Sequence, residues 1–287
     1  MTLVGAGEIV GRARRAGRGA AAFNVVQIEH AQAVVAGAER ADAPVILQIS
    51  ENAARYHGAL RPIGAAVLEV AAAARVPAAV HLDHATGAEL VDTAIELGFG
   101  SVMYDASALE HGRNVAVTAE IAARCHARGV WVEAELGEIG GKDGVHDPTA
   151  RTDPDEAAAY VAATGVDALA VAVGTSHAML TRTTTLDLGR IAALRAAVPV
   201  PLVLHGSSGV PDEGLAEAVA AGITKVNIAT RLNQVYTRAI REHLAADPEV
   251  VDPRRYVASA RDAVAGEVTH LLGVLRAPGA MRPAERS

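Results

Sequence analysis

Eight short, nearly continuous apolar runs alternate with eight longer Ala-rich amphipathic segments, and this alternation limits the fold more than any other feature. The strand-like runs are Ala20 to Val26, Pro44 to Ser50, Ala78 to His84, Ser101 to Ser107, Val130 to Leu136, Ala168 to Gly174, Pro201 to His205 and Lys225 to Ala229. Helical patterns lie between and after them, at about 28–41, 61–75, 88–97, 112–128, 155–164, 187–197, 212–221 and 231–245. Continuous apolar runs suit strands covered on both faces, as in a parallel sheet whose crossovers are helices. Asp153-Pro154-Asp155-Glu156 and Pro211-Asp212-Glu213 mark helix starts, and Gly98, Gly129, Gly165 and Gly222 mark helix ends. Eight such units predict an α/β protein, a (β/α)8 TIM barrel. An open doubly wound sheet is the competing fold. It would place a glycine-rich phosphate turn after the first strand, where Ala22-Phe23-Asn24-Val25 has none.

The 287 residues are expected to form one domain over 1–287, with an extra C-terminal helical segment from Asp252 to Leu275 and a mobile polar tail over about 278–287. Aromatic residues make up only 3%, so Ala, Val, Leu and Ile must build the core. The net charge of −7 argues against nucleic acid as a partner, because phosphate neutralisation needs clustered Lys and Arg. The single cysteine, Cys125, cannot form an internal disulfide and reads as a small packed side chain. There is no signal-peptide pattern after Arg12, Arg14 and Arg15, and no uncharged apolar run of membrane-spanning length. A cytoplasmic protein without membrane contact is expected.

In a barrel of this kind, chemistry sits at the carboxyl ends of the strands. Those ends carry Asn24; Gln48 and Ser50; Asp83 and His84; Asp105 and Ser107; Glu133 and Glu135; His177; His205, Ser207 and Ser208; and Asn227 and Thr230. A single histidine at a strand end is ordinarily a hydrogen-bonded structural residue. Three of them, His84, His177 and His205, point to a metal site with an open position, where a bound carbonyl would be polarised and an enediolate held. Asp83, beside His84, would move a proton at a neighbouring oxygen. Successive strand residues point to opposite faces, so this reading requires the strand to end between Asp83 and His84. His81 lies one step inside and reads as support. His30, His57, His111, His126, His146, His243 and His270 are expected to be solvated or capping.

Gly206-Ser207-Ser208-Gly209 follows the seventh strand and Asn227-Ile228-Ala229-Thr230 ends the eighth, each before a helical pattern. Backbone N–H groups and hydroxyls at helix N-termini bind phosphate without net positive charge. The polar, glycine-rich stretch from Gly137 to Thr152 has the length of a lid.

The chain resembles the class II, zinc-dependent ketose-bisphosphate aldolases of the fructose- and tagatose-1,6-bisphosphate type, from Ala22 to about Leu275. The resemblance is carried by His81-Leu82-Asp83-His84, Val132-Glu133-Ala134-Glu135-Leu136-Gly137, Gly174-Thr175-Ser176-His177, Leu204-His205-Gly206-Ser207-Ser208-Gly209-Val210-Pro211 and Lys225-Val226-Asn227-Ile228-Ala229-Thr230. It implies zinc (Zn2+) on His84, His177 and His205, a displaced zinc position at Asp105 and Glu135, and Asp83 as proton donor and acceptor. Asn24, Ser50, Ala178, Gly206, Ser207, Ser208, Asn227, Ile228, Ala229 and Thr230 are the implied substrate and phosphate residues, with a monovalent cation (Na+ or K+) nearby. The implied reaction is reversible cleavage of a ketose 1,6-bisphosphate to dihydroxyacetone phosphate and glyceraldehyde 3-phosphate, in a homodimer or homotetramer. Three positions depart from the family pattern. Asp143 stands where a loop Glu moves a proton, Ala178 follows His177 in place of Gly, and Arg231 follows Thr230 in place of an acid. Arg254, Arg255 and Arg261 are candidates for the second phosphate. The alternatives are an aldolase using a different aldehyde, a metal-dependent hydrolase on the same barrel, and a non-catalytic phosphosugar-binding protein.

Overall fold

A computed structural model of the chain describes residues 2–137, 151–176 and 179–276. The strands are β1 (Ala20–Asn24), β2 (Val45–Ser50), β3 (Ala78–Ala85), β4 (Ser101–Tyr104), β5 (Trp131–Glu135), β6 (Ala168–Ala170), β7 (Leu202–Leu204) and β8 (Ile223–Ile228). They pair in parallel in chain order, and β8 closes on β1. The helices are α1 (Ala6–Arg15), α2 (Ile28–Arg40), α3 (Glu51–Tyr56), α4 (Leu60–Ala72), α5 (Ala88–Leu97), α6 (His111–His126), α7 (Pro154–Thr164), α8 (Leu188–Ala197), α9 (Asp212–Ala221), α10 (Thr230–Ala246) and α11 (Pro253–Arg276). The expected (β/α)8 barrel with its C-terminal helix is thus the observed fold. The expected tail over 278–287 lies outside the described residues.

Strand alternation divides the apolar residues between two cores. Phe23, Leu47, Val80, Val102, Val132, Leu169, Leu204 and Val226 face outward into the layer between barrel and helices. Ala20, Ala22, Ile46 and Ala79 face inward, and Ala6, Ile9 and Val10 of α1 pack on them. The i, i+3, i+4 spacing of those three residues gives α1 one apolar face, which plugs the amino-terminal end of the barrel. Met103, Ala168, Ala170, Ala172 and Val203 line the opposite side of the interior. Small alanines inside leave volume for long polar side chains above them, including Lys225 and Glu133, both fully buried.

Two local expectations are corrected. β3 does not end between Asp83 and His84; it runs to Ala85 with a bulge. From Leu82 to Ala85 it advances three residues while β4 advances two, from Val102 to Tyr104. The extra residue is His84, at φ +52. Ala85 accordingly rejoins the outward core, while Asp83 and His84 both reach the barrel mouth. His30 is also not solvated. It is 4% exposed, stacked on Tyr236 with ring centroids 4.6 Å apart, and neither ring nitrogen has a hydrogen-bond partner among the described residues. His57 and His243 are half-buried, facing Val26 O at 2.6 Å and Ser259 Oγ at 2.8 Å. His111, His126 and His270 are exposed, and His146 lies outside the described residues.

Burial lowers the pKa of His30 from 6.5 to about 4. Above the unfolded value both states are neutral. As pH falls below it, the unfolded chain takes up a proton that the native chain refuses, so stability falls towards the folded value. Between about pH 7.5 and about pH 5 this should cost about 2 kcal/mol. His30→Phe keeps an aromatic ring against Tyr236, and urea unfolding at the two pH values should show that loss reduced by about this amount.

Candidate active site

The site is built at the carboxyl end of the barrel by the bulge in β3. An ordinary strand would send Asp83 and His84 to opposite faces; the left-handed conformation of His84 itself sends both to the mouth. Such a conformation costs a non-glycine residue about 1 kcal/mol, and two contacts hold it. Asp105 Oδ2 lies 2.6 Å from His84 Nδ1. Glu51, at the start of α3, accepts from the Thr86 backbone N–H at 2.6 Å and from the Thr86 hydroxyl at 2.9 Å, while also pairing with Arg55. Asp105 is itself oriented by Ser107, whose N–H and hydroxyl donate to Oδ1 at 3.1 and 2.6 Å.

His205, just beyond β7, brings a second imidazole. Its ring centroid is 4.8 Å from that of His84, at an interplanar angle of 75°. Ligand atoms of Asp83, His84 and His205 lie within 4.8 Å of one another, and the same holds for His84, Asp105 and Glu135. The two groups share His84. Burial alone would lower the pKa of His84; the charge of Asp83, the hydrogen bond to Asp105 and the charge of Glu135 override it and raise it to about 9. The surroundings therefore favour a cation. Among the described residues, Asp83, Asp105, Glu133 and Glu135 are buried, and Lys225, 2.8 Å from Glu133, is the buried ammonium among them. Two imidazoles, several carboxylates and this excess of negative charge fit a divalent metal ion.

A pocket of about 190 Å³ opens from this cluster. It is lined by Asn24, Gln48, Ser50, Asn52, Asp83, His84, Gly206, Ser207, Ser208, Asn227, Ala229 and Thr230. The sequence-derived residues thus converge, apart from Ile228, which is buried in β8. His177, Ala178 and Asp143 lie outside the described residues, as does most of the expected lid. Asp83 is held by two amides: Asn24 Nδ2 lies 3.2 Å from Oδ2 and Asn227 Nδ2 lies 3.4 Å from Oδ1. At the other end, Gly206 has φ +66, and a Cβ there would meet Ser176 O at 2.7 Å, so this turn requires glycine. Ser207 donates to Asn227 O at 2.5 Å, and Ser208 Oγ accepts from the Arg231 N–H at 3.2 Å. These contacts tie the loop after β7 to the start of α10, whose first-turn N–H groups lie where Ala229 and Thr230 line the pocket.

A profile of the family described as Fructose-bisphosphate aldolase class-II matches residues 4–280. The chain belongs to this family. It is 39% identical over 272 residues to a fructose-bisphosphate aldolase of Geobacillus stearothermophilus, covering 93% of this chain and 95% of that one. It is also 39% identical over 284 residues to a fructose-bisphosphate aldolase of Thermus caldophilus, covering 90% and 92%. The crystal structure of the YdjI aldolase from Escherichia coli K12 superposes with a TM-score of 0.85 at 32% identity, covering 95% and 97% of the two chains. This class II aldolase is a lyase of a metal-dependent family.

Arg254 and Arg255 do not line the pocket; they pair with Asp252 at 2.8 Å and Asp247 at 3.2 Å, and Arg261 contacts Gln32. Arg231, which departs from the family pattern, pairs with Glu267 through Nε at 2.7 Å and is turned away from the pocket lining. His81 is fully buried, with Nδ1 2.9 Å from Ser101 Oγ and Nε2 4.0 Å from Glu133. Burial, together with the Lys225 charge, keeps its pKa well below the ordinary value. Two contributors, Glu133 and Lys225, carry no assigned role in the sequence, and Glu51 is expected there only in a loop that shapes the aldehyde end. Glu51 sits in a short connection, and Glu133 and Lys225 point into the barrel. The alternation of Lys225 with Asn227, and of Glu133 with Glu135, is the signal that could have found the last two. Glu51→Ala should release the Thr86 turn and raise the dissociation constant of the bound metal ion on the order of tenfold, as loss of a supporting hydrogen bond does at metal sites. Equilibrium dialysis against a competing chelator measures it.

Proposed function

We propose that this aldolase reversibly cleaves a ketose 1,6-bisphosphate, of fructose or tagatose, to dihydroxyacetone phosphate and glyceraldehyde 3-phosphate. The observation carrying this reading is the meeting of Asp83, His84 and His205 in one cluster, at a pocket that Asp83 and His84 line together with Gly206 to Ser208 and the start of α10. Those two sets of residues suit the two ends of a phosphorylated ketose. The names of the Geobacillus and Thermus relatives support the fructose substrate.

On this reading His84 and His205, with His177, hold zinc, and Asp105 with Glu135 offers it a displaced position. The ion would supply Lewis-acid polarisation of a carbonyl. Asp83 takes the proton from the C4 hydroxyl during cleavage and returns it to the aldehyde oxygen during condensation. Its carboxylate is suited to this task because Asn24 and Asn227 fix both oxygens. Ser207, Ser208, Gly206 and the first turn of α10, including Ala229 and Thr230, bind the dihydroxyacetone phosphate end with neutral donors. Asn24 and Ser50 line the same pocket, and Ile228 supports it from within β8. We assign the carbon-bound proton exchange to Asp143, and a Na+ or K+ ion to the neighbourhood of Ala178.

We further assign the enzyme to the cytoplasm as a homodimer or homotetramer. Among the described residues no helix is long and apolar enough to cross a membrane. Cys125 is buried, and burial pushes its thiol up to about 11, which leaves it unreactive.

A coupled assay for dihydroxyacetone phosphate release, run on fructose and tagatose 1,6-bisphosphates with and without chelator, tests the reading. Release from neither substrate by zinc-loaded protein would sink it. Asp83→Ala should retain zinc and lose on the order of 10² to 10⁴ in kcat. His205→Ala should lose zinc, as read by metal analysis after dialysis.

A further inference from the structure

Beneath the pocket lies a polar layer with a direction built into it. Lys225 is 0% exposed, and an ammonium has donors but no acceptor. Any amide against it must therefore turn its carbonyl oxygen towards it. Lys225 Nζ donates to Asn227 Oδ1 at 2.7 Å and to Gln48 Oε1 at 3.5 Å. Each amide then presents its NH2 on the other side. Asn227 Nδ2 faces Asp83 Oδ1 at 3.4 Å. Gln48 Nε2 donates to Asn24 Oδ1 at 2.6 Å, which leaves Asn24 Nδ2 to face Asp83 Oδ2 at 3.2 Å. Two paths thus leave one ammonium and end on the two oxygens of one carboxylate.

A third path leads to His205. Glu133 is also 0% exposed; its Oε2 lies 2.8 Å from Lys225 Nζ and its Oε1 lies 3.0 Å from His205 Nε2. The same Nε2 lies 3.0 Å from Asn227 Nδ2. One ring nitrogen cannot serve both. With a proton it donates to Glu133; without one it accepts from Asn227. The charge-assisted bond to the carboxylate is the stronger, by roughly twofold. Glu133 therefore selects the Nε2–H tautomer. The lone pair then belongs to Nδ1, which lies 3.7 Å from Glu135 Oε2 on the side of the metal-ligating cluster.

We propose that Lys225 is the positioning residue of this site, its buried ammonium setting the direction of the hydrogen bonds that reach both oxygens of Asp83 and, through Glu133, the Nε2 of His205. The inference rests on the reading of Asp83 as proton carrier and His205 as metal ligand. A lysine that only filled space would leave the amide directions and the histidine tautomer unspecified.

The first test uses the wild-type protein without metal. Long-range 1H–15N correlation spectra of histidine-labelled protein, assigned with His205→Ala, should show His205 as the Nε2–H tautomer; the Nδ1–H tautomer overturns the proposal. The second test uses Lys225→Met/Glu133→Gln, which removes the ion pair without leaving either charge alone in the barrel. At saturating zinc its kcat for fructose 1,6-bisphosphate cleavage should fall at least about tenfold with KM changed less than roughly threefold, the signature of a lost transition-state contact. Its zinc affinity, read by chelator competition, should fall on the order of 10- to 100-fold. Unchanged kcat and affinity in a folded variant would overturn the proposal. Full turnover by Asp83→Ala, or zinc retained by His205→Ala, would instead remove the site reading, and the tautomer result would stand apart from it.

Discussion

The site depends on one extra residue in β3. A strand alternates faces with a period of two, so adjacent residues cannot both look into a barrel. The left-handed conformation at His84 breaks that period once, and every residue after it changes face. Asp83 and His84 become neighbours in space as well as in sequence. The cost of the conformation is small, about 1 kcal/mol, but it has to be held against relaxation to the ordinary strand. Asp105 holds the imidazole, and Glu51 holds the turn two residues on through Thr86. Both clamps come from neighbouring units of the barrel, so the local strain is supported by the closed sheet.

The interior beneath this bulge follows an unusual division of volume. Barrel cores are ordinarily filled by branched apolar side chains. Here many inward positions are alanine: Ala20, Ala22, Ala79, Ala168, Ala170 and Ala172. The space they leave is taken from one side by α1 and from the other by long polar side chains. An ion pair such as Lys225 with Glu133 gains little stability at zero exposure, because desolvation offsets the attraction, while breaking it would cost about 3–5 kcal/mol. Its place in the barrel is therefore better explained by what it orients than by what it stabilises.

The eight strand–helix units were legible in the sequence because apolar runs and helix-ending glycines mark them independently of tertiary context. The phase of each strand was not. Both faces of a parallel barrel strand are covered, so apolar content does not say which face is the lumen. Glu133 and Lys225 could be listed, but the face they occupy follows only once the barrel closes. The bulge was hidden for a related reason: Ala78 to His84 reads as one strand, and the need for a break between Asp83 and His84 was visible only as a conflict. The helical pattern at about 28–41 does not show what covers His30: α11 packs along α2, and Tyr236 of α10 stacks on the ring. The N-terminal α1 was masked by Arg12, Arg14 and Arg15, which occupy its outer face and leave Ala6, Ile9 and Val10 to the barrel. The six-residue α3 is too short to show a helical period, so the clamp residue Glu51 carried no signal of its role.

The distribution of charge across the pocket supplies a last constraint. A chain with net charge −7 and a cluster of buried carboxylates would repel a phosphorylated ligand if both met at one point. The carboxylates instead lie on β3, β4 and β5, and the neutral donors lie after β7 and at the start of α10. The barrel separates them by placing strands three to five opposite strands seven and eight. A phosphate can then be received by hydroxyls and a helix N-terminus, whose partial charge needs no counter-ion. Arg231, at the first turn of α10, would disturb that division if it faced the pocket; Glu267 of α11 draws its guanidinium away, so this wall of the pocket stays a wall of neutral groups.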